Sequence, residues 1–153
     1  MKIKNQVKLS FMSVPENVPL ARLAAAAFAA QLEFTLEDLE EIKVVVSEAV
    51  SNSIIHGYDN DPNRIVTLLC TIYDEVLELI IEDEGKGIAD VSKAIEPAFS
   101  TDPERMGLGF TFMQSFMDNM DVESAVNKGT RVIMSKMPPG SVAAASEIIS
   151  EKN

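Results

Sequence analysis

Glu48, Asn52 and His56 recur every four residues in the run EAVSNSIIH, so a carboxylate, a carboxamide and an imidazole share one stripe of a helix. Downstream, Asp83-Glu84-Gly85-Lys86-Gly87-Ile88 follows an apolar, strand-like run and sets two glycines just behind an acid, where the backbone can turn tightly at positive φ. Gly107-Leu108-Gly109 then opens a helix-like run after a long polar stretch. Its backbone N–H groups, with no side chains in the way, suit phosphate oxygens at a helix N-terminus. Taken singly, each has a plain structural reading: a polar seam on a core helix, a tight turn, a helix start. Found together and in this order, they define a composite candidate site.

The elements that must hold these residues follow from pattern. Val7, Leu9 and Phe11 alternate with polar neighbours, which predicts a half-buried first strand ending before Pro15. Asn17 is positioned to cap an Ala-rich helix from Val18 to about Leu32, with Pro19 in its first turn and Arg22 as its only charge. Thr35 followed by Asp38 resembles a capping box and opens a second helix through Ile42, Val45, Val46, Ala49 and Ile54, with Gly57 as terminator. The turn-rich YDNDPN leads into two β-rich runs, Arg64 to Tyr73 and Val76 to Glu82, joined at Asp74-Glu75 as a hairpin. From Asp83 to Gly109 runs a long loop with at most one short helix near Ala89 to Ile95. A helix from Gly107 to Asn119 follows, then a strand around Val122, a turn at Asn127-Lys128-Gly129 and a strand from Thr130 to Met137. This order does not alternate helix and strand regularly. It predicts an α+β fold, a two-layer sandwich with a mostly antiparallel sheet covered on one face by helices. Residues 1–140 read as a single domain ended by Pro138-Pro139-Gly140, and 141–153 as a C-terminal tail.

Composition narrows the partners. The 153 residues amount to about one domain. Thirteen Lys and Arg against 24 Asp and Glu give a net charge of −11, which repels nucleic acid and anionic membrane. Cys70 is the only cysteine, so no internal disulfide forms and a reducing compartment is implied. The N-terminus lacks a signal-peptide apolar core, and the longest apolar block, Leu23 to Ala30, is too short to span a bilayer. A cytoplasmic protein is expected.

The three motifs in this order resemble the nucleotide site of the GHKL superfamily, which includes gyrase, histidine kinases and MutL. More narrowly, SEAVSNSIIHGY, DEGKGI, PAFSTDPERMGLGF and the Lys128-Gly129-Thr130 turn resemble the bacterial anti-sigma factor serine kinases, above all those of sporulation. The resemblance implies ATP and Mg²⁺ as cofactors. It makes Asn52 the Mg²⁺ ligand through its amide oxygen, a sparse ligation that suits an ion keeping most of its waters. Glu48 becomes the general base for an attacking hydroxyl. Asp83 accepts a hydrogen bond from the adenine amino group and would repel the guanine carbonyl. Gly85 and Gly87 turn closely around the base, Thr130 supports it, and Gly107, Leu108 and Gly109 form the lid on the phosphates. Arg105 reaches the terminal phosphate as a second catalytic group. Met106 departs from the family pattern, where a small polar residue is expected. Lys86 and Lys128 read as surface lysines, and His56 as a hydrogen-bonded residue near the helix end, since no separate histidine-bearing helix hairpin is present.

A lone ATP domain must find its acceptor in another chain. By resemblance, the partners are a sporulation sigma factor, bound and inhibited, and an anti-anti-sigma factor whose serine is phosphorylated, with a homodimer as the expected assembly. The Ala-rich helix around Arg22 and the first strand are candidates for partner docking or a homodimer contact. Two alternatives remain: a nucleotide-gated sigma-binding module without kinase activity, and the isolated ATPase domain of a histidine kinase.

Overall fold

The computed structural model describes residues 2–96 and 107–141. Five strands form one sheet in the order β1-β2-β3-β5-β4, with every neighbouring pair antiparallel. They are β1 (Ile3–Met12), β2 (Ile65–Tyr73), β3 (Val76–Asp83), β4 (Asn119–Ser124) and β5 (Thr130–Lys136). The α-helices among the described residues are α1 (Val18–Ala29), α2 (Leu36–Asn52) and α4 (Gly107–Phe116), with the single turn α3 (Val91–Ala94). The expected α+β sandwich is the observed architecture.

Alternation builds the sheet's inner face. Val66, Leu68, Cys70 and Ile72 of β2, Leu77, Leu79 and Ile81 of β3, and Val132 and Met134 of β5 are all buried in the core. Helix α2 meets them with Ile42, Val45, Val46, Ala49 and Val50, and α4 with Phe110 and Met113. In α1, Ala21, Ala25 and Ala29 recur every fourth residue and are fully buried, so two backbones approach closely where larger side chains would hold them apart. Burial pushes the Cys70 thiol up to about 12, so it packs as a small apolar group. On the opposite face Leu69, Ile80 and Ile133 stand in register across β2, β3 and β5.

Several boundaries differ from the sequence reading, among them the helix expected from Gly107 to Asn119, which ends at Phe116 while Asn119 already belongs to β4. Asn17 makes no side-chain cap: a 3-10 turn, Pro15–Asn17, runs straight into α1, leaving Asn17 helical at φ −90° and ψ −6° rather than extended. Its amide donates back to the Met12 carbonyl at 2.9 Å instead. Helix α1 stops at Ala29, three residues early, because Gln31 and Leu32 donate to the carbonyls three residues back and tighten the end. The second helix does not run evenly to Gly57. Its α-helical part ends at Asn52 and one turn of π-helix, Ser53–Gly57, follows, closed by Tyr58 N–H on the Ser53 carbonyl at 2.9 Å. The capping box at Thr35 and Asp38 is present in both directions, at 3.1 and 3.0 Å.

Candidate functional site

Asn52 is the last residue of α2, one turn beyond Glu48, and both point toward the start of α4. Gly109 makes this approach possible: a Cβ there would lie 3.0 Å from Glu48 Oε2 and 3.5 Å from Asn52 Nδ2. Among the described residues, Asn52 Nδ2 is the buried side-chain polar atom left with no hydrogen-bond partner. An unpaired buried amide costs about 1–3 kcal/mol. Such an atom marks a place where a ligand oxygen would complete the structure.

Beside Asn52 lies a cavity of about 210 Å³ lined by Ser53, Gly57, Asp83, Gly87, Phe110 and Thr130, among others. Asp83 ends β3 directly opposite Thr130, the first residue of β5. The residue is 7% exposed, and its carboxylate accepts hydrogen bonds from Gly85 N–H, at 2.9 Å, from the Ser53 hydroxyl and from Thr130 N–H. Burial pushes the carboxyl above its ordinary value, while these donors and the charge of Arg64 pull it back. The result is an oriented acceptor at the bottom of a mostly apolar pocket.

The glycines around Asp83 are set by close approach. A Cβ on Gly85 would stand 2.1 Å from the Gly57 carbonyl oxygen, and one on Gly87, at φ +74°, 1.9 Å from that of Ala125. Lys86 N–H donates to the Gly57 carbonyl at 2.9 Å and Asn127 N–H to that of Lys86 at 2.7 Å. The turn is thereby tied to the end of α2 on one side and to the β4–β5 hairpin on the other. Ser124 adds a further link: its hydroxyl accepts Ile88 N–H at 2.8 Å, donates to the Gly129 carbonyl at 2.9 Å and lies 2.9 Å from Thr130 Oγ1.

The structure thus gathers Asn52, Asp83, Gly87 and Thr130 around one cavity, with Glu48 and Gly109 adjoining and Gly85 directly behind. Gly107 and Leu108 begin α4. Arg105 and Met106 lie outside the described residues. His56 lines the same cavity and has an interaction partner. Lys86 also reaches the rim, with its ammonium paired to Asp59 at 2.9 Å, and Lys128 is exposed. Among the described residues no group of three or more His, Cys, Asp or Glu is placed to hold a metal.

Sequence reasoning missed four contributors. Gly57 was expected only to stop a helix, yet a Cβ there would lie 2.9 Å from three atoms of the Asp83 carboxyl. Gly129 closes the other side, where a Cβ would fall 2.0 Å from the Asp83 carbonyl oxygen. Ser53 supplies a donor. Tyr58 braces the motif: its hydroxyl accepts Glu84 N–H at 2.7 Å and donates to Ile65, and Arg64 covers its ring at 4.6 Å. Ser53, Gly57 and Tyr58 lie within the SEAVSNSIIHGY motif, and that membership is the signal that could have found them.

This fold is that of an ATPase class. The family model of the histidine kinase-like ATPase domain matches residues 11–136. Among solved structures, the chain resembles the RsbU and RsbW domains of a Mycobacterium tuberculosis protein, at TM-score 0.62 and 13% identity over 88% of this chain and 32% of that one. It also resembles a blue-light activated histidine kinase of Erythrobacter litoralis, at TM-score 0.56 and 16% identity over 85% and 43% of the two chains. These likenesses are of fold. Curated relatives are much nearer. The anti-sigma F factor of Geobacillus kaustophilus is 52% identical over 88% of this chain and 93% of its own length. Those of Oceanobacillus iheyensis and Clostridium novyi are 50% and 46% identical over comparable spans. The chain belongs to the anti-sigma F factor family of histidine kinase-like ATPase domains.

Proposed function

We propose that this protein binds a sporulation sigma factor and holds it inactive in the cytoplasm, and that it uses Mg²⁺-ATP to phosphorylate a serine of an anti-anti-sigma factor. The observation that supports the ATP-dependent half is the unpartnered Asn52 Nδ2, beside Gly109 at the start of α4, where the Glu48 carboxylate also lies. One face of that amide suits a phosphate oxygen. Its own oxygen suits Mg²⁺, which when bound would neutralise phosphate charge.

The remaining roles belong to the chain. Asp83, held by Gly85, Ser53 and Thr130, accepts from the adenine amino group, and the apolar walls at Ile88, Phe110 and Val132 suit the ring. Backbone N–H groups at Gly107, Leu108 and Gly109 face the phosphates, and Arg105 offsets charge at the terminal one. Glu48 takes the proton of the serine hydroxyl as its oxygen bonds to the γ-phosphorus. The bridging P–O bond breaks and its electron pair leaves with ADP. Residues 1–140 act as one unit, with 141–153 as a tail. Docking of partners, or of a second copy, falls to α1, where Leu20 and Leu23 are half exposed and Arg22 is held at 3.3 Å by Ser47 Oγ.

The test is mass spectrometry of an anti-anti-sigma protein incubated with this protein and Mg²⁺-ATP. A phosphoserine is expected, and its loss by a factor of about 10² or more in Glu48→Gln, with ATP binding retained. A sigma-binding chain that leaves the acceptor unmodified would instead be a nucleotide-gated module without transferase activity. Undiminished transfer in Glu48→Gln would remove Glu48 as base.

A further inference from the structure

Lys136 occupies a core-facing position of β5, continuing the alternation of buried Val132 and Met134, and is only 9% exposed. Sheet periodicity calls for an apolar residue there, and an ammonium so placed is costly unless well paired. Its partners come from two helices. It donates to the carbonyl of Phe116, the last residue of α4, and faces Glu41 Oε2 at 3.7 Å and Asp38 Oδ1 at 3.9 Å in the first half of α2. The other oxygen of Asp38 is engaged in the Thr35 capping box, so the carboxylate is fixed from both sides. The carbonyls of the last turn of a helix have no partner within it, and a cation there also meets the negative end of its dipole. One side chain therefore joins β5, the C-terminal end of α4 and the N-terminal half of α2. These two helices carry Gly109 at one end of α4 and Glu48 and Asn52 at the far end of α2.

We propose that Lys136 is a positioning residue for phosphate binding: by tying the rear end of α4 to α2, it sets how the glycine start of α4 lies against Glu48 and Asn52. Gly109 and Phe116 are seven residues apart, about 10 Å along the axis, so a tilt released at the rear displaces the front. The chain just beyond α4 is also held, by Asp118 N–H on the Ser135 carbonyl at 2.9 Å and Met137 N–H on Asp118 Oδ2 at 2.7 Å. Those bonds fix the connection to β5. The direction of the helix itself rests on the buried side chains of Phe110 and Met113 and, at its rear end, on Lys136. This rests on the reading that α4 meets the phosphates.

The test compares Mg²⁺-ATP with adenosine, which reaches only the Asp83 end of the site, by titration calorimetry and competition on the full chain. Lys136→Met is expected to weaken Mg²⁺-ATP about tenfold, the loss of one charge-assisted bond, with adenosine affinity unchanged. Lys136→Arg, which keeps a charged donor, should restore most of the difference. Glu41→Gln, on a more exposed residue, relaxes the α2 side alone and should lower the ATP-to-adenosine ratio by about two- to threefold. Equal weakening of both ligands, or unchanged ATP affinity in Lys136→Met, overturns the proposal. If that variant does not fold, an unchanged ratio in Glu41→Gln overturns it. Wild-type protein that fails to bind Mg²⁺-ATP would instead sink the proposed function.

Discussion

Asp83 sits where burial works against its own charge, and the donors from Gly85, Ser53 and Thr130 offset that cost only in part, since its carboxyl remains above the ordinary value of 3.8. A raised folded value means the residue favours folding below the unfolded value and loses that contribution as pH rises through the folded one. Asp83→Asn is therefore expected to leave the stability of the free protein at pH 7 unchanged or higher, while weakening ATP about 10- to 100-fold. Urea melts at several pH values and titration calorimetry check both halves. The stability of wild type relative to Asp83→Asn should decline from about pH 4 upward and level off above the folded value. A variant that loses stability at neutral pH would show that the acid serves the fold rather than the ligand. That Asp83 closes a strand and leads into a tight glycine turn was legible in Asp-x-Gly-x-Gly. Its supports were not, because Gly57 and Gly129 lie 26 and 46 residues away and matter only once the chain brings them together.

Elements whose signals are local were read well. The Thr35–Asp38 capping box depends on four consecutive residues, and the β2–β3 hairpin on two runs and the pair between them, where Asp74 adopts φ +53°. Thr35→Ala should lower stability by about 1 kcal/mol and Tm by about 2–4 °C, with Mg²⁺-ATP affinity unchanged; calorimetry reads both. Misreadings arose where a neighbouring element overrode a residue's own preference. Asn17 is a good capping residue, but the Pro15 turn had already placed its backbone in the helical region. The π-turn after Asn52 is a further case. Nothing in SNSIIHGY announces a wider turn, yet the turn carries Gly57 beneath Asp83 and leaves Tyr58 beneath Glu84.

For the whole molecule, a net charge of −11 disfavours DNA yet leaves room for a polyanion held by oriented N–H groups and a metal. Mg²⁺-ATP at a hundred times its Kd should add about 2.7 kcal/mol and raise Tm by roughly 5–10 °C. Duplex DNA should leave Tm unmoved, and Asn52→Ala should abolish the Mg²⁺-dependent part of the shift. A thermal-shift series settles each point, and a DNA-induced rise would overturn the charge argument. The sequence by itself determined the order and type of the elements, the α+β class and the three motifs, because helix periodicity, strand alternation and caps are written within a few residues of each other. Tertiary structure alone decided that α4 closes on Glu48 and Asn52, that two distant glycines make room for Asp83, and that a buried lysine ties the two site helices together. Those outcomes depend on which surfaces meet, and close packing between residues far apart in the chain exists only after the sheet and helices have been assembled.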